Sequence, residues 1–288
     1  MYKFFALVQD EAAPVRRIQV SQDLNNDLAT LFEEQRNALL NKEREQIDYA
    51  PTFFRDDDEL LRIRDFQVPA ELASAAKQPI LCPPFEITNR HVAIRGIVAT
   101  DFDADEYLFQ TFDRRREIST NRISMILSKD TFRRLEEPGL TLDSKLVAAI
   151  KNGVLIFESY YQARRVLDLT KYYREATDDD LRAFCSHGKL MVENADEVIR
   201  KADSWIRKKV ALITQSKLLD NVSPQSILKV AKVYGLEISF SGTGNNKKLV
   251  LPLNKKELKN LLRFLDEDFY TSGLSSNRFV SNSKRLLS

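Results

Sequence analysis

Histidine and cysteine are nearly absent from this sequence, with two of each in 288 residues. That leaves little material for a metal centre, since a zinc site needs three or four donors. Cys185 and His187 are the one close pair, and nothing nearby completes a ligand set. Cys82 and Cys185 are far apart and read as reduced, buried thiols, so the expected compartment is the cytoplasm. No Gly-x-Ser-x-Gly elbow is present and neither cysteine sits in a nucleophile motif, which leaves covalent catalysis without a signature. Eight glycines and nine prolines are too few for a loop-dominated or low-complexity chain. No internal repeat is visible. No stretch approaches the roughly 18 apolar residues that span a bilayer. The opening Met1-Tyr2-Lys3-Phe4-Phe5-Ala6-Leu7-Val8 runs into Asp10 and Glu11 and reads as a first strand rather than a signal peptide. Any membrane association is therefore expected to run through a partner protein.

What is present is an ordinary globular balance, 43% hydrophobic and 30% charged, over a length that suits two domains or one large one. The net charge of +2 hides an asymmetry. From Arg200 onward there are 17 Lys and Arg against 7 Asp and Glu, whereas residues 1–110 hold 12 against 20. A concentrated basic surface attracts a polyanion, and this is the strongest functional signal in the chain.

Periodicity gives the elements. Tyr2 to Val8 and Arg16 to Val20 read as a hairpin, 23–41 as an amphipathic helix, Leu60 to Ile63 as a strand and Pro69 to Lys77 as a short helix. Phe85 to Val98, with Val92 and Ile94 inward, and Tyr107 to Phe112 read as strands. Ser128 to Leu135 reads as a capped helical turn, and Leu140 to Asp143 and Val154 to Phe157 as strands. Tyr160 to Leu169 reads as helix. Thr177-Asp178-Asp179-Asp180 announces a helix to Cys185, with acids in its first turn. The longest helical pattern is about 193–219. Gln225 to Tyr234 follows behind Pro224, then strands at Glu237 to Phe240 and Lys248 to Leu253, and a last amphipathic helix from Lys255 to Leu265. The expected class is α+β, a mixed-sheet N-terminal part with a helix-rich α+β C-terminal module. The composition shift at Arg114-Arg115-Arg116, with Arg122 close behind, sets the expected domains at 1–113 and 114–288.

Other candidate chemistry is sparse. Asp56-Asp57-Asp58-Glu59 reads as a solvated turn, because four consecutive carboxylates cannot all face one ion. The loop Ser241 to Lys248 lacks Walker spacing and lies between strands. Glu257-Leu258-Lys259 and Asp143-Ser144-Lys145 have the spacing of a metal-dependent nuclease, but the first falls on a helix and the second lacks an upstream carboxylate. The basic surface remains. Arg200, Lys201, Arg207 and Lys208 on one helix face, Lys247 and Lys248 in a loop, and Lys255, Lys256 and Lys259 on the last helix are the candidate nucleic-acid contacts, suited to backbone binding with little sequence preference. Lys284 and Arg285 are expected to clasp the tail against Asp266, Glu267 and Asp268.

Several segments carry a family likeness: Ser128-Lys129-Asp130-Thr131-Phe132, Gly153-Val154-Leu155-Ile156-Phe157, Trp205-Ile206-Arg207-Lys208-Lys209, and the ending Leu262 to Tyr270 with Ser283-Lys284-Arg285. Over roughly 115–288 the chain resembles the KwaB-like family, the soluble component of the bacterial Kiwa anti-phage defence system. The resemblance implies a DNA-binding effector that acts with a membrane-embedded partner protein, and a homodimer. It supplies no catalytic residue, so the contacts above rest on charge placement alone. No cofactor or metal is expected, and a non-enzymatic role is favoured. The alternatives are a metal-dependent nuclease, or a protein-interaction module whose basic face meets an acidic partner.

Overall fold

The computed structural model describes residues 2–41, 43–86, 93–118, 123–135, 137–281 and 283–285. It divides into two compact units, one of residues 1–49 and 55–169, the other of residues 50–54 and 170–288.

The first unit is built on an eight-stranded sheet. Its strands are β1 (Lys3–Val8), β2 (Val15–Ile18), β3 (Glu45–Asp48), β4 (Glu59–Ile63), β5 (Ile94–Asp101), β6 (Glu106–Thr111), β11 (Ala148–Lys151) and β12 (Val154–Phe157), in the order β2-β1-β5-β6-β11-β12-β4-β3. Every pairing is antiparallel except β3 with β4, so the sheet is mixed. Phe4 to Val8 are buried without alternation, as are Ile97 to Thr100. Continuous burial means that both faces are covered. Helix α1 (Gln22–Leu39), capped by Ser21, lays Phe32 on Phe4 at 5.6 Å over one face. On the other, Val166 comes so close to Gly96 that a Cβ there would lie 2.5 Å from it. Helices α2 (Ala70–Lys77) and α3 (Tyr160–Ala163) complete the helical part of the unit. Two ribbons stand apart from the sheet: β7 (Glu117–Ile118) with β10 (Gly139–Leu140), and β8 (Met125–Ser128) with β9 (Thr131–Arg134).

The second unit packs α4 (Asp178–Cys185), α5 (Ala195–Lys201), α6 (Ser204–Ser216), α7 (Leu218–Asn221), α8 (Pro224–Val233) and α9 (Lys255–Leu265) around one core that includes Leu181, Ile206, Ile213, Leu258 and Leu262. A three-stranded sheet joins them, β13 (Leu190–Met191), β14 (Phe240–Ser241) and β15 (Lys248–Val250), with β15 in the middle. A last hairpin pairs β16 (Phe269–Thr271) with β17 (Arg278–Val280). The α+β class is as expected. Among the described residues, no helix is long and apolar enough to cross a membrane.

Several expectations are corrected. The expected helical turn at 128–135 is a hairpin: Lys129 and Asp130 both take positive φ, 47° and 62°, and form the two-residue turn that sends Thr131 and Phe132 back as strand. The 193–219 pattern is not one helix. Ala202 leaves helical geometry and Asp203 starts a new helix as its N-cap, because an aspartate side chain competes for backbone N–H groups. Only four residues of 160–169 are helical, and the strands expected at 237–240 and 248–253 shrink to β14 and β15. The strand expected from Phe85 begins at Ile94, and Val92, His91 and Arg122 lie outside the described residues. The boundary expected at 113/114 falls inside the first unit, since β11 and β12 return to pair with β6 and β4.

Candidate nucleic-acid interface

Helix α9 is strongly two-sided. Leu258, Leu261, Leu262 and Leu265 are buried, while Lys255, Lys256, Lys259 and Arg263 line one open depression with Glu257 and Asn260. Asn254 caps the helix by accepting the N–H groups of Lys256 (2.9 Å) and Glu257 (3.3 Å). Lysines at a helix N-terminus oppose the helix dipole, so stability alone does not account for this arrangement.

Asp203 offsets part of that repulsion. One carboxylate oxygen caps α6 by accepting from Ile206 N–H (3.0 Å), and the other receives Lys259 (2.7 Å) and Lys255 (3.1 Å). Partial burial works against its charge, but Lys259, the Ile206 amide and Lys255 outweigh it and hold the carboxyl well below the usual carboxylate range. The stability it contributes is therefore complete above its ordinary pKa and is lost as the pH falls below about 4. An acid-unfolding titration of Asp203→Asn should show a weaker stability loss in that window than the parent chain. Equal slopes would remove Asp203 as an anchor.

Trp205, two residues on, gathers cations. Lys259 and Arg263 each lie 5.3 Å from its ring centroid and Lys209 lies at 5.6 Å. Lys201 joins the same neighbourhood by donating to Leu253 O (2.7 Å) at the approach to α9, and pairs with Glu197 at 2.5 Å.

The nine candidate contacts divide accordingly. Lys201, Lys255 and Lys259 come together around the α5–α6 junction and the start of α9, with Arg200 and Lys256 adjacent in sequence and exposed. Lys247 and Lys248 lie at the β14–β15 connection. Among the described residues, Arg200, Lys247, Lys248 and Lys256 make no ion pair. Arg207 turns to α4, bonding Ala176 O (3.0 Å) and Asp178 (2.6 Å). Lys208 is half-buried over Phe54, and burial together with Lys209 pushes its ammonium pKa down. The expectation that Arg200, Lys201, Arg207 and Lys208 share one face fails, because the break at 202–203 resets the helical phase. Sequence reasoning missed Asp203, Trp205 and Arg263. An N-cap aspartate before the tryptophan was a readable signal for the first two, and the four-residue step from Lys259 to Arg263 for the third.

Beneath this face lies a buried charge cluster. Lys209 bonds Asp266 (2.5 Å) and Asp268 (2.7 Å), all three almost fully buried. Lys284 from the tail donates to Asp266 O and pairs with Asp266 (3.1 Å) and Asp268 (3.3 Å). Burial raises the Asp268 pKa. The expected clasp thus forms through Lys284. Arg285 lies over Phe53 at 4.8 Å, and Glu267 takes a positive φ at the turn.

The remaining candidates are committed elsewhere. Cys185 is buried, and His187 bonds Asp220 at 3.0 Å. Asp143 pairs with Arg116 (2.6 Å), while its backbone closes a buried network with Gln35 and Gln110. Glu59 accepts from Asp56 N–H (2.8 Å) and so holds the acidic stretch as a turn. Among the described residues, no three His, Cys, Asp or Glu side chains are grouped to hold a metal ion.

No curated protein and no solved structure matches this chain. A family model described as Kiwa protein KwaB-like matches residues 98–275, more than half of the sequence, from within β5 to the β16–β17 turn. That stretch includes Asp203, Trp205, Lys209 and the whole of α9. The chain belongs to the KwaB-like family, and its role lies in Kiwa anti-phage defence.

Proposed function

We propose that this protein is a cytoplasmic defence effector that binds DNA through its phosphate backbone, with little sequence specificity, as a homodimer and together with a membrane-embedded partner protein. The observation that carries the DNA reading is the face of α9. There, Lys255, Lys256, Lys259 and Arg263 converge on one depression beside Trp205, in the part of the chain that holds the surplus of ten positive charges. Arg200 and Lys201 extend this face from α5, and Lys247 and Lys248 offer further phosphate contacts. Arg207 and Lys208 are assigned to packing, through Asp178 and Phe54. A partner protein fits the family, because the components of a Kiwa system work together.

The test is charge reversal with a matched control. Each phosphate contact contributes about 0.9 to the slope of log affinity against log salt, so Lys255→Glu/Lys256→Glu should lower that slope by roughly 2 and weaken duplex binding at least tenfold at low salt. The same reversal at Lys229 and Lys232, exposed on α8, should leave affinity nearly unchanged. Equal losses for both pairs would mean that only overall charge matters, and would reject the α9 face.

A further inference from the structure

Tyr270 and Phe279 stack on each other at the surface. They stand directly opposite in the β16–β17 register, so both rings lie on one face of the hairpin, with centroids 5.3 Å apart and planes 21° from parallel. Phe4 with Phe32 and Tyr49 with Phe157 pair against buried rings, whereas Tyr270 and Phe279 are 48 and 42% exposed. Stacking covers the inner side of each ring, so the exposed parts are the outer sides and the edges.

The hairpin is anchored without this pair. Phe269, on the other face by alternation, packs on Tyr234 of α8 at 5.7 Å. At the root, Ser281 N–H donates to Asp268 O (2.8 Å) and Asp268 N–H to Arg263 O (2.9 Å), while the Asp268 carboxylate holds the buried Lys209. Ser272 closes the far end, donating to Asn277 O (2.9 Å) and accepting from Leu274 and Ser275 N–H (both 3.3 Å). Arg263 is the last cation of the α9 face, so the hairpin is rooted in the element proposed to hold the DNA backbone. Its charge is of one sign. The sequence beyond Asp268 has no Asp or Glu. Arg278, next to Phe279 on β17, is exposed and makes no ion pair among the described residues.

We propose that this face of the hairpin is a stacking platform for unpaired nucleobases, so that the protein prefers DNA carrying a single-stranded segment to fully paired DNA. The inference rests on the DNA-binding reading and adds to it the form of DNA. Every base has a flat π face, so stacking on an aromatic ring adds affinity without sequence preference. Inside an intact duplex each base is already stacked on both sides, and nothing is left for Tyr270 or Phe279 to receive. A single strand, a gap or a frayed end offers free faces. Charge favours this occupant over an apolar protein surface, because the phosphates flanking each base meet Arg278 and a segment free of acids.

The experiment compares binding of the full chain, by fluorescence anisotropy, to a labelled duplex with a single-stranded tail, the same duplex with an abasic tail of equal length, and the blunt duplex. The variant is Tyr270→Ile/Phe279→Ile, which keeps strand-forming residues and removes both rings. The parent is expected to bind the base-bearing tail at least about tenfold tighter than the abasic one, the effect of one well-stacked base. Both tails carry the same phosphates, so charge cannot produce the difference. In the double variant, with unchanged circular dichroism, the two tails should bind alike and the blunt duplex as in the parent. A parent that binds both tails equally overturns the platform and leaves the backbone reading standing. A preference that survives the double variant also overturns it, because the bases then stack elsewhere. An equal loss on all three DNAs would make the rings general contacts and reject stacking. Absence of binding to any of the three at low salt overturns this inference and the DNA reading together.

Discussion

Replacing Lys209 by methionine is expected to destabilise the second unit by about 3–5 kcal/mol, the usual cost of removing one partner from a buried ion pair. The ammonium bonds both Asp266 and Asp268, and without it two buried carboxylates face each other with Lys284 as their remaining ion-pair partner among the described residues. The cost comes from the stranded charges more than from lost attraction. Lys209→Met/Asp266→Asn/Asp268→Asn should therefore recover much of the loss, since neutral groups of similar size leave no uncompensated charge. Trp205 is the only tryptophan and lies beside Lys209, so urea unfolding followed by its emission reports on this unit directly. A single variant as stable as the parent, or a triple variant no better than the single, would refute this account of the cluster.

The second large effect is steric and belongs to the first unit. Gly96→Ala would place a Cβ 2.5 Å from Val166 Cγ1 and 2.6 Å from Gln110 O. The first obstacle can turn aside, but the second is backbone in the middle of the sheet, between β5 and β6. Overpacking of this kind costs about 1–3 kcal/mol, and the rigid carbonyl puts Gly96 at the upper end. In a unit of this size each kcal/mol lowers the melting temperature by about 2–4 °C, which calorimetry resolves. A Gly96→Ala chain that melts with the parent would show that β5 and the 160–169 segment do not pack as described.

These effects indicate what was legible in the sequence. Helix α9 was readable end to end, because its leucines and lysines separate cleanly at helical spacing and nothing in it competes with helix. The capping box of Thr177 with Asp180 and the start of α8 at Pro224 were readable for the same local reason. The 128–135 hairpin was missed because Ser-Lys-Asp looks like a helix start. Its strand state depends on two residues at positive φ and on cross-strand pairing of Leu127 with Phe132, which short-range pattern does not carry. The parallel pairing of β3 with β4 is likewise set by tertiary context.

The candidate site was half legible. Charge counting found the basic region and the three lysines at the start of α9. It could not separate Lys256, which is exposed, from Arg207, which is committed to Asp178, because the carboxylate lies 29 residues earlier in the sequence. Nor could it place Lys259 and Arg263 over Trp205, more than fifty residues away. The tail clasp was anticipated through Lys284 because opposite charges cluster within the last 23 residues.

The most direct test of the central claim is titration of the full chain with duplex DNA of two unrelated sequences across a salt series, read through Trp205 emission and repeated with Mg²⁺, with the DNA then recovered on a gel. Backbone binding through α9 predicts similar affinity for both sequences, a steep fall with salt, a change in emission on binding, and intact DNA. Absence of binding at low salt would contradict it outright. DNA broken only when Mg²⁺ is present would replace the binding effector by a nuclease.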